Sequence, residues 1–558
     1  MNGAAITVET LIAHGVTDVF GYPGGTVLNL YDELYGNSDR ITHRLSCHEQ
    51  GAAHAADAYA RVTGRVGVVI ATSGPGATNL VTGIATAYLD STPMIAITGN
   101  VPTTLMGKDA FQEVDTTGIT MPITKHNFLV KDVDQLEETL CEAFRIARSG
   151  RPGPVLVDIP KDVQVNEADF RGGQPLPDIP TPTANQQCLE EAAALINASE
   201  RPYIYAGGGV VISGAEDLLR QFAESLDAPV GLSMMGLTAF DSEHPLYLGM
   251  TGMHGLPESS KMHAEADLII GIGVRFSDRA TGDTKRYRAN TKILHIDIDD
   301  VEVDKNVAST ASVLGDLKEI LSSLIGMLDQ RERPEWKGRA KKVRDEWGRA
   351  VMDYKAQDEH SFTPRRIIKT VRAHATDEMV VVTDVGQHQM WVAQHYGFKV
   401  PRTLATSGGL GTMGFGMGGA VGACVAKGGA RTLLFTGDGS FHMNMAEFAT
   451  AVRYGLPIIV IVIDNSVLGM VRQWQTLFFG ERYSQTTLER PTDYVKLAEA
   501  LGGSGYMVSD LAGLEKALNG AFASDIPTII DCKIDSDEMV FPMIPAGGSF
   551  EDMIVERN

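Results

Sequence analysis

The sequence is short of positive charge. Lys and Arg total 48 against 70 Asp and Glu in 558 residues, a formal balance of −22. A general nucleic-acid binder needs basic surface to meet phosphates, so that class is excluded. A small anionic substrate is not excluded, because one positive pocket can sit on an acidic protein. The five cysteines (Cys47, Cys141, Cys188, Cys424, Cys532) are scattered and form neither a CxxC pair nor a zinc spacing. Reduced thiols and a cytoplasmic location are the expectation. No apolar run approaches the ~20 residues of a membrane span. The opening MNGAAITVETLIAHG has no basic stretch ahead of an apolar one, so no secretory signal is expected. Short repeats and low-complexity tracts are missing as well.

What is present is ordinary globular material, with 44% hydrophobic and 21% charged residues. At roughly 100–200 residues per domain, the length predicts about three domains. Apolar strand patterns alternate with helical ones throughout, which predicts α/β architecture with mostly parallel sheets flanked by helices. Two stretches break the pattern. Residues 166–187 are polar and Pro-rich, and residues 331–362 are strongly charged with room for some helix. Read as linkers, they leave segments 1–165, 188–330 and 363–545 and a C-terminal tail 546–558. Each segment holds strands that end in Gly or Asp, where open parallel sheets bind ligands.

The most specific pattern lies in the third segment. The strand RTLLFTG runs into Gly437-Asp438-Gly439-Ser440. A helix is expected next, with Phe441, Met445, Phe448 and Val452 on one face, then the strand PIIVIVID and Asp464-Asn465. Taken alone, Gly-Asp-Gly also fits a tight turn. With a second strand-end Asn 27 positions on, right-handed βαβ connectivity sets Asp438 and Asn465 on neighbouring strand tips. One carboxylate and one amide oxygen then face one crevice. Mg²⁺ takes one or two such side-chain oxygens and fills its octahedron from phosphate and water. Gly437 and Gly439 let the backbone approach a phosphate, and the following helix offers free N–H groups. The pattern predicts a cradle for Mg²⁺ and a diphosphate.

Here the sequence resembles the thiamine-diphosphate-dependent enzymes, whose signature is GDG with an Asn pair downstream. Position 464 is Asp where that family more often has Asn. The resemblance implies Mg²⁺ held by Asp438, Asn465 and the carbonyl of Val467. His48-Glu49-Gln50-Gly51-Ala52-Ala53 and Thr72-Ser73-Gly74-Pro75-Gly76 resemble the family's pyrimidine-binding domain. Read alone, Glu49 is a helix-start acid stabilised by the dipole. The resemblance makes it the carboxyl that hydrogen-bonds the cofactor's pyrimidine ring and so helps to remove the thiazolium C2 proton. It also implies a homodimer, or a dimer of dimers, in which Glu49 reaches a neighbour's cofactor.

Within the family the sequence resembles the acetohydroxyacid (acetolactate) synthases along essentially its whole length. The segments that carry this are FGYPGG (20–25), DAFQEVD (109–115), GRPGPVLVDIPKD (150–162), LGMTGMHG (248–255), DVGQHQMW (384–391), SGGLGTMGFG (407–416), GMVRQWQ (469–475) and PMIPAG (542–547). The implied fold is a pyrimidine-binding, a central FAD-binding and a diphosphate-binding domain. Val385, Gly386, Gln387, His388, Met413 and Met470 would hold thiamine diphosphate with Gly437, Asp438, Gly439, Ser440 and Asn465. Gln112, Lys161 and Phe111 would line the substrate entrance. Arg275 would stand near the acceptor, and Trp474 would contact its side chain. A carboxylate substrate needs a cation such as Arg275 or Lys161, and a larger acyl tail needs an apolar wall such as Trp474.

The resemblance also implies a largely structural FAD. Its contacts would be Arg151, Gly207, Gly208, Gly209, Met250, Gly273, Val274, Arg275, Arg279, Asp297, Ile298, Gly315, Asp316, Gln389, Met390 and Gly408. The family's RFDDR is RFSDR here, so Ser277 removes a carboxylate near the flavin. The implied reaction decarboxylates pyruvate and adds the two-carbon hydroxyethyl unit to a second pyruvate or to 2-oxobutanoate. The products, 2-acetolactate or 2-aceto-2-hydroxybutanoate, lead to branched-chain amino acids. A regulatory small subunit would be a separate chain. Four other readings stay open at this point: an FAD-free catabolic synthase, a flavin-dependent oxidase, a glyoxylate carboligase, and outside the family a nicotinamide dehydrogenase. The last lacks a clear GxGxxG followed by an acid.

Overall fold

Among the described residues, eighteen strands form three six-stranded sheets, every one of them parallel. The computed structural model describes residues 1–289, 291–329, 331–353 and 361–556. Residues 354–360 of the expected second linker, residue 330 beside it and residues 557–558 of the expected tail lie outside the described residues.

The first sheet contains β1 (Asp18–Tyr22), β2 (Thr42–Leu45), β3 (Gly67–Ala71), β4 (Met94–Asn100), β5 (His126–Leu129) and β6 (Pro154–Pro160), in the order β2-β1-β3-β4-β6-β5. The middle sheet contains β7 (Pro202–Ala206), β8 (Val230–Leu232), β9 (Tyr247–Met250), β10 (Leu268–Ile272), β11 (Lys292–Asp297) and β12 (Ala311–Leu314). Its order, β12-β11-β10-β7-β8-β9, is that of a doubly wound dinucleotide fold, with the chain reversing direction between β7 and β10. The third contains β13 (Val380–Thr383), β14 (Leu404–Ala405), β15 (Thr432–Gly437), β16 (Ile458–Asp464), β17 (Ser504–Val508) and β18 (Thr528–Lys533). Its order, β14-β13-β15-β16-β18-β17, repeats that of the first sheet strand for strand.

Parallel sheets are covered on both faces, so their strands read as unbroken apolar runs. In β16 every residue is buried. Val460 and Val462 join a core shared with Val69 and Ala71 of the first sheet. Ile459, Ile461 and Ile463 join a core shared with Ile204 and Ile270 of the middle sheet. The third sheet thus lies between the other two units.

The first and third units meet through two helices, Glu49–Thr63 and Phe415–Ala426. Each is the crossover from the second strand of its sheet to the third. A Cβ on Gly418 would stand 2.5 Å from the carbonyl O of Gly51, and one on Gly422 only 1.9 Å from that of Ala55. The contacts advance four residues along both helices together, so the helices run in the same direction. Glycine is what permits this backbone-to-backbone approach.

The charged stretch after residue 330 is largely one helix, Pro334–Asp353, and its start is docked on the middle unit. Trp336 is buried and donates its indole N–H to Pro202 O at 2.8 Å. The buried Arg333 guanidinium donates to Ser199 O and Leu226 O. The C-terminal residues return to the same unit, where Arg286 pairs with Glu551 and Asp552.

Candidate active site

β15 and β16 are neighbours in register, Gly437 opposite Ile463, so Asp438 and Asp464-Asn465 emerge side by side. This is the adjacency expected from connectivity. Asp438 opens the helix Asp438–Asn444, and Glu447–Arg453 follows. The single helix expected over this stretch is therefore broken at Met445-Ala446. Both Asp438 and Asn465 are buried. The Asp438 carboxyl lies well above the usual range, first through burial and second through the facing Asp464 carboxylate. A buried acid in this state is relieved by a nearby cation.

The remaining cradle residues gather around this pair. Asn465 Nδ2 donates to Gln387 Oε1 at 3.1 Å, and Val467 N–H donates to Asn465 Oδ1 at 3.3 Å. Gln387 Nε2 donates in turn to Gln473 Oε1 and to Glu538 O. Ser440 Oγ donates to Val385 O at 2.8 Å. Gly386 (φ +152°) and Gly437 both back onto the His388 ring, and a Cβ at either would approach it to 2.9–3.0 Å. Burial pushes His388 down to about 3, so the imidazole is neutral. Its Nε2 is buried without a hydrogen-bond partner among the described residues. A Cβ on Gly439 would lie 3.8 Å from Met413 Cε. An orphaned ring nitrogen, glycine-lined backbone and two strand-tip oxygens suit a diphosphate and a hard divalent cation.

On the first sheet, Glu49 is the first residue of its helix and is only 8% exposed. Asn79 Nδ2 donates to Glu49 Oε2 at 3.0 Å. A Cβ on Gly76 would meet Glu49 Oε1 at 3.1 Å and Thr72 Cγ2 at 2.7 Å, and one on Gly74 would meet Gln112 Cβ at 2.9 Å. Gln112 holds a left-handed φ of 61°. Phe111 beside it is 87% exposed. Their loop is clipped by Glu113, whose carboxylate accepts the N–H groups of Gly107 and Ala110. Lys161 is exposed at the first position of a short helix after β6. These residues follow β2, β3, β4 and β6, so they share the carboxyl edge of one sheet.

A cavity of about 1450 Å³ opens where all three units meet. That exceeds the ~300–1,000 Å³ of an ordinary small-ligand pocket. Arg151, Gly208, Gly209, Met250, Gly273, Val274, Arg275, Arg279, Asp297, Ile298, Gly315, Asp316, Gln389, Met390 and Gly408 line it. So do Val385, Gly386, Met470 and Trp474. Gly207 does not line it. A Cβ there would strike Gly273 O at 2.3 Å, so this glycine serves the close packing of two strand-end loops at the reversal point. Glu49, Gln112, Phe111 and Lys161 do not line the cavity either, nor do Asp438 and Asn465. Within one chain the expected catalytic residues thus fall into two groups, Arg275 and Trp474 on the cavity and the other four on the first sheet's edge.

Several supporting residues escaped the sequence reading, most of them because a partner is hundreds of positions away. Glu447 accepts the N–H groups of Cys47 and His48, immediately before Glu49. Asp384 accepts those of Val385 and Gly414. The Asp90 carboxylate takes the N–H groups of Gly408 and Gly409 and an ion pair from Arg61. Arg402 donates to Arg61 O and Val211 O, tying the three units together.

Comparison with known proteins bears on the whole chain. Three thiamine pyrophosphate enzyme family models match it: the N-terminal TPP binding domain at residues 1–119, the central domain at 189–324 and the C-terminal TPP binding domain at 384–532. The chain is 45% identical to a probable acetolactate synthase large subunit of Methanocaldococcus jannaschii, over 99% of this chain and 95% of that protein. It is 43% identical to the acetolactate synthase isozyme 2 large subunit of Escherichia coli, over 99% of both. It is 44% identical to an acetolactate synthase of Mycobacterium bovis, over 100% of this chain and 92% of that one.

Proposed function

The chain belongs to the thiamine pyrophosphate enzymes, among the acetolactate synthase large subunits, and from this premise we propose how its own residues serve acetolactate synthesis. The reaction is decarboxylation of pyruvate and transfer of the two-carbon unit to a second pyruvate or to 2-oxobutanoate. The observation that carries the reading is the pairing of Asp438 and Asn465 on adjacent strand tips, with the unpartnered His388 nitrogen alongside.

Bound thiamine diphosphate supplies the electron sink for losing CO₂ from a 2-oxo acid. Asp438, Asn465 and the Val467 carbonyl would hold Mg²⁺, whose charge would offset that of the diphosphate. His388 stands beside the cofactor's diphosphate, and Gln387 fixes Asn465 by accepting its amide N–H. Glu49 holds a proton for the cofactor's pyrimidine ring. Asn79, which donates to one Glu49 oxygen, leaves the other for that task. Gln112, Phe111 and Lys161 form the entrance on the first sheet's edge. Arg275 takes the acceptor's carboxylate, and Trp474 walls its side chain.

The division of these residues between two places on one chain supports a homodimer, or a dimer of dimers, with each site completed by a neighbour. The exposed Phe111 then becomes part of a partner's site. The large central cavity, lined by glycines at the reversal point of a dinucleotide-type sheet, suits FAD. The net reaction moves no electrons, so the flavin's part is structural. A separate small regulatory subunit and residence in the cytoplasm complete the proposal. Among the described residues no helix is long and apolar enough to cross a membrane.

The test is colorimetric detection of acetolactate from pyruvate, with thiamine diphosphate, Mg²⁺ and FAD each stripped and omitted in turn. Omission of any one should abolish or sharply lower the signal, and its return should restore it. Product formation indifferent to chelator and to thiamine diphosphate would overturn the reading.

A further inference from the structure

The thiamine diphosphate cradle proposed above contains more acid than one divalent cation needs. Asp438, Asp464 and Asp531 all lie on or beside the tips of β15, β16 and β18, and all three are buried. Asp464 is only 4% exposed. Its Oδ1 accepts Ser466 N–H at 2.9 Å and Ser466 Oγ–H at 3.2 Å, which fixes the carboxylate in place. Asp464 emerges beside Asp438, because Gly437 and Ile463 are paired in register on neighbouring strands.

Among the described residues, Lys533 is the cation paired with this group. Lys533 is the last residue of β18 and stands opposite Asp464 in register. Its Nζ contacts Asp464 Oδ2 directly and lies 3.1 Å from Asp531 Oδ2. Lys533 is neither one of the expected cofactor residues nor part of the large cavity's lining. A second carboxylate at the strand tips adds repulsion towards a negatively charged diphosphate. With an ammonium on the far side of Asp464, the crevice offers the metal a single uncompensated carboxylate, that of Asp438.

We infer that Lys533 is a charge-setting positioning residue, which cancels Asp464 so that the strand tips accept Mg²⁺ and a diphosphate together. This rests on reading the strand tips as the thiamine diphosphate site. Without Lys533, the unpaired Asp464 repels the diphosphate, and neutralising Asp464 removes that repulsion. A lysine that only braced the fold would give no such rescue.

The experiment measures binding, not turnover. Thiamine diphosphate is titrated at fixed Mg²⁺ into the full-length protein stripped of cofactor, followed by intrinsic tryptophan fluorescence. Lys533→Met is expected to weaken binding by about tenfold or more, the scale of one unscreened charge nearby. The double variant Asp464→Asn/Lys533→Met is expected to return to within about threefold of the parent. Lys533→Arg keeps the charge and should bind as the parent does. Parent-like binding by Lys533→Met, or a double variant as weak as Lys533→Met, overturns the inference. Should Lys533→Met not fold, the arginine variant decides, since a tenfold loss with the charge retained also overturns it. If the parent itself fails to bind thiamine diphosphate, the cradle reading falls instead, which keeps the two failures apart.

Discussion

Gly422→Ala sets two known effects against each other. In an ordinary helix interior the change stabilises by about 1 kcal/mol, because alanine loses less backbone entropy. At Gly422 the added methyl would stand 1.9 Å from the carbonyl oxygen of Ala55, where ordinary contact begins at 3.4 Å. The obstacle is backbone, so no side chain can swing aside. Relief requires the helices Glu49–Thr63 and Phe415–Ala426 to part by about 1.5 Å, and overpacking of this kind costs about 1–3 kcal/mol or more. Backbone against backbone belongs at the upper end, so the net effect is a loss of about 2 kcal/mol. Gly338 is the control. It lies within the helix Pro334–Asp353, and a Cβ there meets nothing within 4 Å. Urea unfolding of the two variants should move the midpoint in opposite directions, down for Gly422→Ala and up for Gly338→Ala. Activity of Gly422→Ala should fall as well, because the displaced helix carries Glu49 at its first turn. A Gly422→Ala midpoint above the parent's would refute the argument that this contact holds the first and third units together.

Three further outcomes are expected. Glu49→Gln should slow hydrogen–deuterium exchange at the cofactor's C2, read by NMR, by about 10²–10⁴-fold while thiamine diphosphate still binds, and undiminished exchange would remove Glu49 from its assigned role. Trp474→Leu should lower the preference for 2-oxobutanoate over pyruvate by about tenfold or more, the worth of one methylene against an apolar wall. An unchanged product ratio in a competition assay would count against that contact. Burial raises the Glu258 carboxyl to about 7. The folded state therefore binds this proton more tightly than the unfolded chain does. Stability is undiminished below the ordinary carboxylate range, declines as pH climbs towards 7, and levels off above it. Glu258→Gln should be more stable than the parent by about 3 kcal/mol at pH 8 and nearly equal to it at pH 4.5, and a pH-independent difference would sink the assignment.

Much of the site was legible because parallel βαβ connectivity converts spacing into adjacency. The run PIIVIVID and the strand RTLLFTG sufficed to bring Asp438 beside Asn465. The break in the helix between them was not legible, since Phe441, Met445, Phe448 and Val452 fit one continuous face. The interruption falls just after Asn444, whose side-chain amide donates to Gly414 O across the unit. The packing of Gly207 against Gly273 was not legible either, because a glycine run after a strand looks the same whether it greets a ligand or a neighbouring loop. Long-range supports such as Glu447 beneath His48 leave no local trace, because nothing near position 447 refers to position 48. The common strand order of the first and third sheets was equally hidden, as it survives in connectivity and not in residue pattern.

That common order has a consequence for the molecule's ancestry. Equivalent crossover helices lie side by side and point the same way, so the first and third units are joined within one polypeptide through the same element of a shared topology. Such a pairing is what a homodimer leaves behind when its gene is doubled and fused. One descendant half then kept the acid and the other the metal anchor, a division of labour that neither half could have performed while the two were still identical.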